Sequence, residues 1–334
     1  MSRPDFDISR LDDYLKAALP GLEGTPRLER ISGGQSNPTF FVTYDNRALV
    51  LRKQPPGPLL PSAHAIDREF RVMQALGGSG VPVPEVLHYG ADAGVIGTPF
   101  YVMVRLNGRI FHDCTLPGVS PAERAAMYAS IAGTLAALHN VDPEAVSLGD
   151  FGRPGGYFGR QIARWSRQWR EARTREDADM ERLIEWLPAH IPEGEVSAIV
   201  HGDFRVGNLM FHATEPHVIA ILDWELATLG HPLADLAHIA MGWQTRPEEY
   251  GGMRGLDLTA LGLPDLEAFV AAYGAAARHG ARLKPFHMAF ALFRWAAIFE
   301  GIAYRAKTGN ANAENAAEIG QLSAVFARQA AALI

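Results

Sequence analysis

The chain has 334 residues, of which 48% are hydrophobic and 20% are charged, and its formal net charge is −6. This composition is ordinary for a globular protein, and the negative balance argues against nonspecific binding to nucleic acid. The single cysteine, Cys114, excludes an internal disulfide and favours a reducing, cytoplasmic location. Residues 1–16 carry acids throughout and no window approaches a membrane span, so we expect neither a signal peptide nor a membrane helix.

The first third of the chain mixes strand-like runs with helical patterns. Leu11, Leu15 and Leu19 predict a short amphipathic helix. Two strand-like runs, 28–31 and 40–44, enclose a glycine-rich turn, whose free backbone amides can face phosphate oxygens. The further elements predicted here are a strand at 48–53, a helix with apolar positions at 66, 70, 73 and 76, and a strand at 100–106.

The rest of the chain is predicted to be mainly helical. The glycine-containing segment 243–263 is expected to form a loop. The segments with helical periodicity are 121–139, 159–174, 264–279, 285–307 and 313–333.

The most informative stretch combines a carboxylate, an amide and a second carboxylate. Asp203 lies five residues before Asn208 on a predicted tight loop, and the strands 209–211 and 218–222 form a hairpin that returns Asp223 beside Asn208. Phosphoryl transfer relies on positioning and on cations that offset spread negative charge. Because Mg²⁺ prefers hard oxygen ligands, Asn208 and Asp223 are candidate metal ligands, and Asp203 is a candidate base for an acceptor hydroxyl. Each residue alone could serve only a turn or a helix cap, but three in register favour catalysis.

These motifs resemble a known family. The pattern His-Gly-Asp-x-x-x-x-Asn at 201–208, the run Ile-Leu-Asp-Trp-Glu at 221–225 and the run Gly-His-Pro-Leu-Ala-Asp-Leu-Ala at 230–237 carry the resemblance. They are similar to the aminoglycoside phosphotransferase and choline kinase-like branch of the protein-kinase-like fold. Within that branch, the chain most resembles the phosphotransferase-like kinases related to the kinase domain of acyl-CoA dehydrogenase family members ten and eleven.

The resemblance implies a two-lobed α+β protein-kinase-like fold. Residues 1–106 would form a small, β-rich nucleotide-binding lobe, and residues 107–334 would form a larger helical lobe for catalysis and acceptor binding. The implied cofactors are Mg²⁺ and ATP, and the implied partners are a nucleotide and a small-molecule acceptor. We expect no nucleic-acid or membrane partner. The sequence leaves the oligomeric state and the choice between ATP and GTP open.

The resemblance also implies a nucleotide site in the N-terminal lobe. Strand alternation puts Arg52 and Lys53 on opposite faces, and the kinase-like pattern selects Arg52 as the phosphate-binding cation, with Lys53 as the alternative. Glu69 on the following helix is placed to pair with that cation. The remaining implied contacts are the glycine-rich turn and a hinge backbone that meets the adenine edge: Gly33, Gly34, Gln35, Ser36, Asn37, Val104, Arg105 and Leu106.

Two further residues are expected to support the catalytic loop. In kinase-like proteins the residue that corresponds to Asp235 ties its carboxylate to the loop backbone, although an ordinary helix-start acid is the alternative. His201 is expected to hydrogen-bond the metal-binding region or to pack below it. The other histidines show no metal-ligand spacing, so we expect them on the surface or in the core.

The acceptor is predicted to be a small anionic molecule. The interval between Asp223 and Asp235 leaves no room for a long activation segment that docks peptides. Residues 153–175 contain seven arginines and one acid, and residues 270–312 contain six Arg or Lys and one acid. Guanidinium groups suit carboxylate and phosphate oxygens, and the resemblance to dehydrogenase-fused kinases suggests a hydroxyacyl-CoA. The alternatives are an aminoglycoside-type antibiotic kinase and a catalytically silent nucleotide-binding module.

Overall fold

The computed structural model describes residues 5–31, 37–57, 65–309 and 315–334. The contacts within this part of the chain define two compact units. The hairpin that follows the catalytic loop falls largely in the first unit, whereas the sequence analysis had assigned it to the C-terminal lobe. The first unit comprises Met1–Arg109, Met210–Thr214 and Ile219–Ala227, and the second comprises Ile110–Leu209, Glu215–Val218 and Thr228–Ile334.

The first unit is built on an antiparallel sheet of five strands, and the strands of the hairpin belong to a separate three-stranded sheet. The strands are β1 (Arg27–Arg30), β2 (Thr39–Thr43), β3 (Ala48–Lys53), β4 (Val86–Gly90), β5 (Phe100–Val104), β6 (Gly108–Ile110), β8 (Leu209–His212) and β9 (Val218–Ile221). The five-stranded sheet has the order β1-β2-β3-β5-β4, and the three-stranded sheet has the order β6-β8-β9. The helices are α1 (Ile8–Ala18), α2 (Ile66–Leu76) and α3 (Ala93–Ile96).

The central strand of the five-stranded sheet, β3, has its side chains on two different faces. Leu49 and Leu51 are fully buried in one cluster with Leu11 and Leu15 of α1. The residues between them face the other side of the sheet, so Arg52 lies on the face opposite to this cluster. The sheet therefore presents a polar cation on a rigid central strand.

The second unit is mainly helical. A short two-stranded sheet pairs β7 with β10. The strands are β7 (Ala198–Val200) and β10 (Thr228–Gly230). The helices are α4 (Pro121–Asn140), α5 (Tyr157–Ala172), α6 (Ala178–Ala189), α7 (Pro232–Ala240), α8 (Leu258–Leu261), α9 (Leu266–Ala276), α10 (Pro285–Lys307), α11 (Ala316–Gly320) and α12 (Leu322–Ala331).

Helix α10 forms the centre of this unit and packs against α5, α6, α7, α11 and α12. Its length and composition satisfy the criteria for a membrane span, which corrects the expectation that no window would do so. However, 78% of its most apolar window is buried inside the fold. The helix is apolar because it is surrounded by other helices, as core helices of globular proteins are.

Several predicted elements are confirmed, among them α2, α4 and α10, whose observed bounds equal or closely match the predicted ones. Strand β4 was not predicted, because its half-buried residues follow two prolines and resemble a linker. The segment predicted as a loop at 243–263 contains α8. The helix predicted at 313–333 is split into α11 and α12, and Gly320 at the break lies against the backbone of Ala303, where no side chain would fit.

Candidate active site

The predicted catalytic loop, residues 201–208 of the second unit, starts directly after β7. Gly202 has a φ of 82°, in the left-handed region that favours glycine, and it turns the chain sharply after the strand. The carboxylate of Asp235, in the first turn of α7, accepts hydrogen bonds from the backbone N–H groups of His201 at 2.6 Å and Gly202 at 2.9 Å. Burial alone would raise the pKa of Asp235, but His139, and to a smaller extent His201 with its backbone N–H, lower it. An ionised carboxylate therefore fixes the start of the loop.

Asp203 is held by donors from three directions. Its Oδ1 accepts a hydrogen bond from His238 Nε2 at 2.9 Å, its Oδ2 accepts one from Asn208 Nδ2 at 2.8 Å, and Arg205 Nε lies 3.3 Å from Oδ2. Burial would raise the pKa of Asp203, but the His238 hydrogen bond and the charges of Arg205 and Arg294 lower it below its ordinary value. Asp203 is consequently ionised at neutral pH and has a defined orientation.

A carboxylate with a lowered pKa is a weak proton acceptor in the ground state. It can still orient an acceptor hydroxyl, and it can take the proton late, once bonding to phosphorus has made that hydroxyl acidic. Asp203 is chemically suited to this order of events, in which positioning precedes proton transfer.

His238 was not singled out by the sequence analysis, which placed the remaining histidines on the surface or in the core. It is buried, and burial lowers its pKa despite the nearby Asp203 carboxylate. A neutral imidazole that donates Nε2–H to Asp203 accounts for the contact, and this tautomer is inferred from the geometry. The available signal was helical spacing, because His238 lies three residues after Asp235 on α7 and so shares its face.

Asn208 ends the loop with its side chain almost fully buried. Its Nδ2 donates to both the backbone oxygen and Oδ2 of Asp203, each at 2.8 Å. Its Oδ1 accepts no hydrogen bond within the described residues, and this is the atom that a metal ion would use. Among the residues that the structure describes, no group of three or more His, Cys, Asp or Glu side chains is placed to hold a metal ion. This is compatible with Mg²⁺, which keeps several waters and needs few protein ligands.

A buried ionic network occupies the first unit. Arg52 Nε lies 2.9 Å from Glu69 Oε2, and Arg52 Nη2 lies 2.8 Å from Asp223 Oδ1. Glu69 also accepts hydrogen bonds from Tyr101 at 3.0 Å and Asn37 at 2.8 Å. Burial lowers the pKa of Arg52, but the surrounding acids raise it on balance. Burial raises the pKa of Glu69, yet we take its carboxylate as ionised because three donors point at it.

Asp223 follows β9 with a backbone conformation that is unusual for its residue type. Its φ of 64° and ψ of 65° lie in the left-handed region, which costs a non-glycine residue about 1–3 kcal/mol. Its side chain is 37% exposed and is oriented by Arg52. A strained backbone at an exposed and oriented carboxylate lowers the stability of the fold, so its presence points to a functional role for Asp223.

The structure separates the two cations of β3. Lys53 is buried on the other face, where its Nζ lies 3.0 Å from Asp5 and 4.9 Å from the ring centroid of Phe6. Arg52, in contrast, contacts Glu69 and Asp223. The sheet pleat therefore gives the two neighbouring cations different partners.

The structure describes only some of the other residues that are expected to contact the nucleotide. Gly33, Gly34, Gln35 and Ser36 lie outside the described residues. Asn37 is buried and directs its amide to Glu69. In the hinge, the backbone N–H groups of Val104 and Arg105 donate to Glu85 and Ala48. Within the part of the chain that the structure describes, the backbone N–H of Leu106 donates no such bond, and the residue is half-buried.

A small pocket in the second unit is lined in part by Arg205 and His238, the residues that contact the carboxylate of Asp203. Cys114 is part of its wall, and burial raises the pKa of the thiol to about 11, so the sulfur is protonated and acts as an apolar surface. The wall is largely aromatic and basic; it includes His112, Cys114, Arg205, Trp243, Tyr250 and Trp295.

Comparison with known proteins agrees with this geometry. Residues 27–286 match the model of the APH phosphotransferase enzyme family. Acyl-CoA dehydrogenase family member 10 of Mus musculus is 44% identical over 330 residues, covering 96% of this chain and 30% of the relative. Family member 11 of Rattus norvegicus is 42% identical over 324 residues, covering 93% and 41%. The chain thus spans less than half the length of these curated relatives.

Solved structures extend the comparison to the fold. A Ralstonia eutropha protein assigned to the aminoglycoside phosphotransferases has 40% identity and a TM-score of 0.91, with 98% of both chains covered. A spectinomycin phosphotransferase in complex with ADP and spectinomycin has 11% identity and a TM-score of 0.64, covering 98% of this chain and 99% of the other. The chain therefore belongs to the APH phosphotransferase enzyme family and has its two-lobed α+β protein-kinase-like fold.

Proposed function

We propose that this protein transfers the γ-phosphate of ATP to a hydroxyl group of a small-molecule acceptor. The observation that carries the proposal is the setting of Asp203. Its half-buried carboxylate is ionised and oriented by His238, Asn208 and Arg205, on a loop that Asp235 fixes. A turn that served only structure would not need three side-chain contacts to one carboxylate.

The proposal assigns a role to each remaining polar group. Asn208 and Asp223 supply oxygen ligands to Mg²⁺, whose contribution is to offset charge on the phosphates. Arg52 contacts the phosphates, with Glu69 holding its guanidinium in place. His201 supports the loop through its Nδ1, which lies 3.2 Å from the backbone nitrogen of Asp203.

For the acceptor we propose an anionic hydroxyl compound, with a hydroxyacyl-CoA as the leading candidate. The excess of arginine in 153–175 and 270–312 supports an anion. The aromatic pocket beside Asp203 is suited to an acyl chain. The names of the relatives, acyl-CoA dehydrogenase family members 10 and 11, support an acyl-CoA.

An antibiotic kinase is the second candidate. Viomycin phosphotransferase of Streptomyces vinaceus is 28% identical over 192 residues, which cover 52% of this chain. A cationic antibiotic calls for acids around its hydroxyl groups, whereas the helices considered above are rich in arginine. A silent nucleotide-binding module is less favoured because Asp203, Asn208 and Asp223 are all present. We also place the protein in the cytoplasm, on the basis of its single cysteine.

The test offers Mg²⁺-ATP with one acceptor at a time and measures phosphorylated product by mass spectrometry. The acceptors are hydroxybutyryl-CoA isomers, kanamycin and viomycin. We expect product with a hydroxyacyl-CoA and little with either antibiotic. Efficient phosphorylation of the antibiotics alone would support the second candidate. ATP binding without product from any acceptor would support the silent module.

A further inference from the structure

Arg294 lies in the middle of α10 and is only 6% exposed. Within the described residues its guanidinium forms no ion pair and no hydrogen bond, and its Nε is fully buried without a partner. Lys53, the other Lys or Arg that is strongly buried among the described residues, is paired with Asp5. Arg294 is thus a buried positive charge that the described part of the protein does not neutralise by direct contact.

Such a charge is costly to keep. A guanidinium stays protonated at any physiological pH, so it cannot lower the cost by losing its proton. Burial without a bonded counter-charge opposes folding, and an apolar side chain of similar volume would be more stable in the same place. A group outside the chain is therefore the natural partner for Arg294.

The surroundings of Arg294 are basic and aromatic. Its Cζ lies 5.3 Å from the ring centroid of Trp165, and the Cζ of Arg164 lies 5.3 Å from the same ring. The side chain of Arg164 reaches solvent, and the charge of Arg294, added to partial burial, lowers its pKa. Two like charges that each lie 5.3 Å from one indole ring, neither of them paired with an acid among the described residues, form a site that an anion would stabilise.

From this geometry we infer that Arg164 and Arg294 form the anion-recognition site of the acceptor, next to Asp203. The anionic group is a carboxylate or a phosphate, whose paired oxygens match the guanidinium fork. Arg164, which is exposed, would meet the group first, and Arg294 would bind it in the interior. This inference rests on the proposed function, because it makes the bound anion part of the phosphate acceptor.

A simpler role for Arg294 would be to balance the charge of Asp203, whose pKa it helps to lower. However, Asp203 already has direct contacts with His238, Asn208 and Arg205, and Arg294 forms no hydrogen bond with it. Charge balance alone would shift the pH dependence of activity without changing the preference for charged acceptors. The experiment below separates the two roles.

Calorimetric titrations in the presence of ADP measure binding without turnover. The probes are 3-hydroxybutyryl-CoA, which carries phosphates, 3-hydroxybutyrate, which carries a carboxylate, and 3-hydroxybutyryl-pantetheine, which carries neither. The variants are Arg294→Met and Arg164→Met. Arg305→Met is the control, because it removes an exposed charge from α10, the helix that carries Arg294. Thermal unfolding of each variant is recorded in parallel.

We expect Arg294→Met to weaken binding of one anionic probe by about 30-fold or more, the scale for removing one member of a buried charge pair. Arg164→Met should weaken the same probe less, and Arg305→Met should not weaken it. Pantetheine binding should stay unchanged throughout. The probe that loses affinity identifies the anion as a phosphate or a carboxylate. The melting temperature of Arg294→Met should equal or exceed that of the wild type.

Equal losses for the anionic and neutral probes, unchanged affinity in Arg294→Met, or no binding of either anionic probe by the wild type would each overturn the inference. If Arg294→Met does not fold, the exposed Arg164→Met variant decides by the same criterion. The titrations need no turnover, so they test the inference separately from the proposed function. If Arg294→Met loses affinity for an anionic probe but the wild type transfers no phosphate to any acceptor, only the proposed function is contradicted. Phosphate transfer with unchanged anion affinity in Arg294→Met would contradict only this inference.

Discussion

The two compact units each bury an arginine, and the two arginines have opposite surroundings. Arg52 in the first unit contacts Glu69 at 2.9 Å and Asp223 at 2.8 Å, so the protein neutralises its charge. Arg294 in the second unit is more deeply buried and, among the described residues, has no acid in contact. The difference shows that burial alone does not define the role of an arginine. The pairing of Arg52 makes its side chain part of the stability of its unit, whatever ligand it also contacts, whereas the charge of Arg294 contributes nothing to stability until an anion binds.

The largest expected effect is a difference in the free energy of unfolding between variants that lack one or the other of these arginines. Arg52→Met leaves the buried Glu69 carboxylate without its cation, and breaking a buried pair in this way costs about 3–5 kcal/mol. The free energy of unfolding, measured by urea denaturation, should fall by that amount. Arg294→Met is the matched variant, and it should lose nothing. Equal losses in the two variants would remove the distinction between a paired and an unpaired arginine.

The second prediction concerns the two proposed ligands of Mg²⁺, Asp223 and Asn208. Asp223→Ala removes an oriented carboxylate that is proposed to bind Mg²⁺, so phosphate transfer should fall by more than about 10²-fold, since a catalytic metal contributes several kcal/mol. Asn208→Ala should act in the same direction but less strongly. ATP titrations with and without Mg²⁺ provide the measurement, and Glu215→Ala, an exposed acid on the same hairpin, provides the control. An unchanged Mg²⁺ dependence in Asp223→Ala would exclude it as a ligand.

The smallest effect concerns pH. The pKa of Asp203 is lowered in the folded protein, so its ionised form contributes stability above the unfolded pKa of about 3.9, and this contribution is lost as the pH falls. His238→Phe removes the hydrogen bond that lowers this pKa. The acid limb of the kcat/KM profile should then move up by about one pH unit. His238→Gln, whose amide can still donate, should keep the limb near its original position. Identical profiles in both variants would show that His238 does not set the pKa of Asp203.

The sequence predicted the parts of the fold that depend on local pattern. Helix α10 has the predicted bounds because its apolar residues continue for more than six turns between a proline and a threonine. Strand β3 was predicted from alternation, which also assigned Arg52 and Lys53 to different faces. Strand β4 was missed because its exposure is intermediate along most of its length, so no alternation distinguishes it from a linker.

The parts of the site that escaped prediction depend on tertiary contacts. The partner of Asp203 on α7, His238, is recognisable only when the face of that helix towards the loop is known. The arginines in 270–312 could be counted, but their number does not reveal that Arg294 alone among them is buried without an acid in the described structure. The hydrogen bond that the amide of Asn37 donates to Glu69 also depends on tertiary structure, and the assignment of Asn37 to the nucleotide stays a prediction.

The most direct test of the central claim compares the wild type with Asp203→Asn, which keeps the shape of the side chain but removes its charge. The measurement is the initial rate of phosphorylated acceptor formed from Mg²⁺-ATP, with ATP affinity and melting temperature recorded for both proteins. The proposed role of Asp203 predicts a rate that falls by about 10²-fold or more, the usual scale for a positioned acid–base group, with unchanged ATP affinity. A variant that phosphorylates the same acceptor at nearly the wild-type rate would contradict the claim.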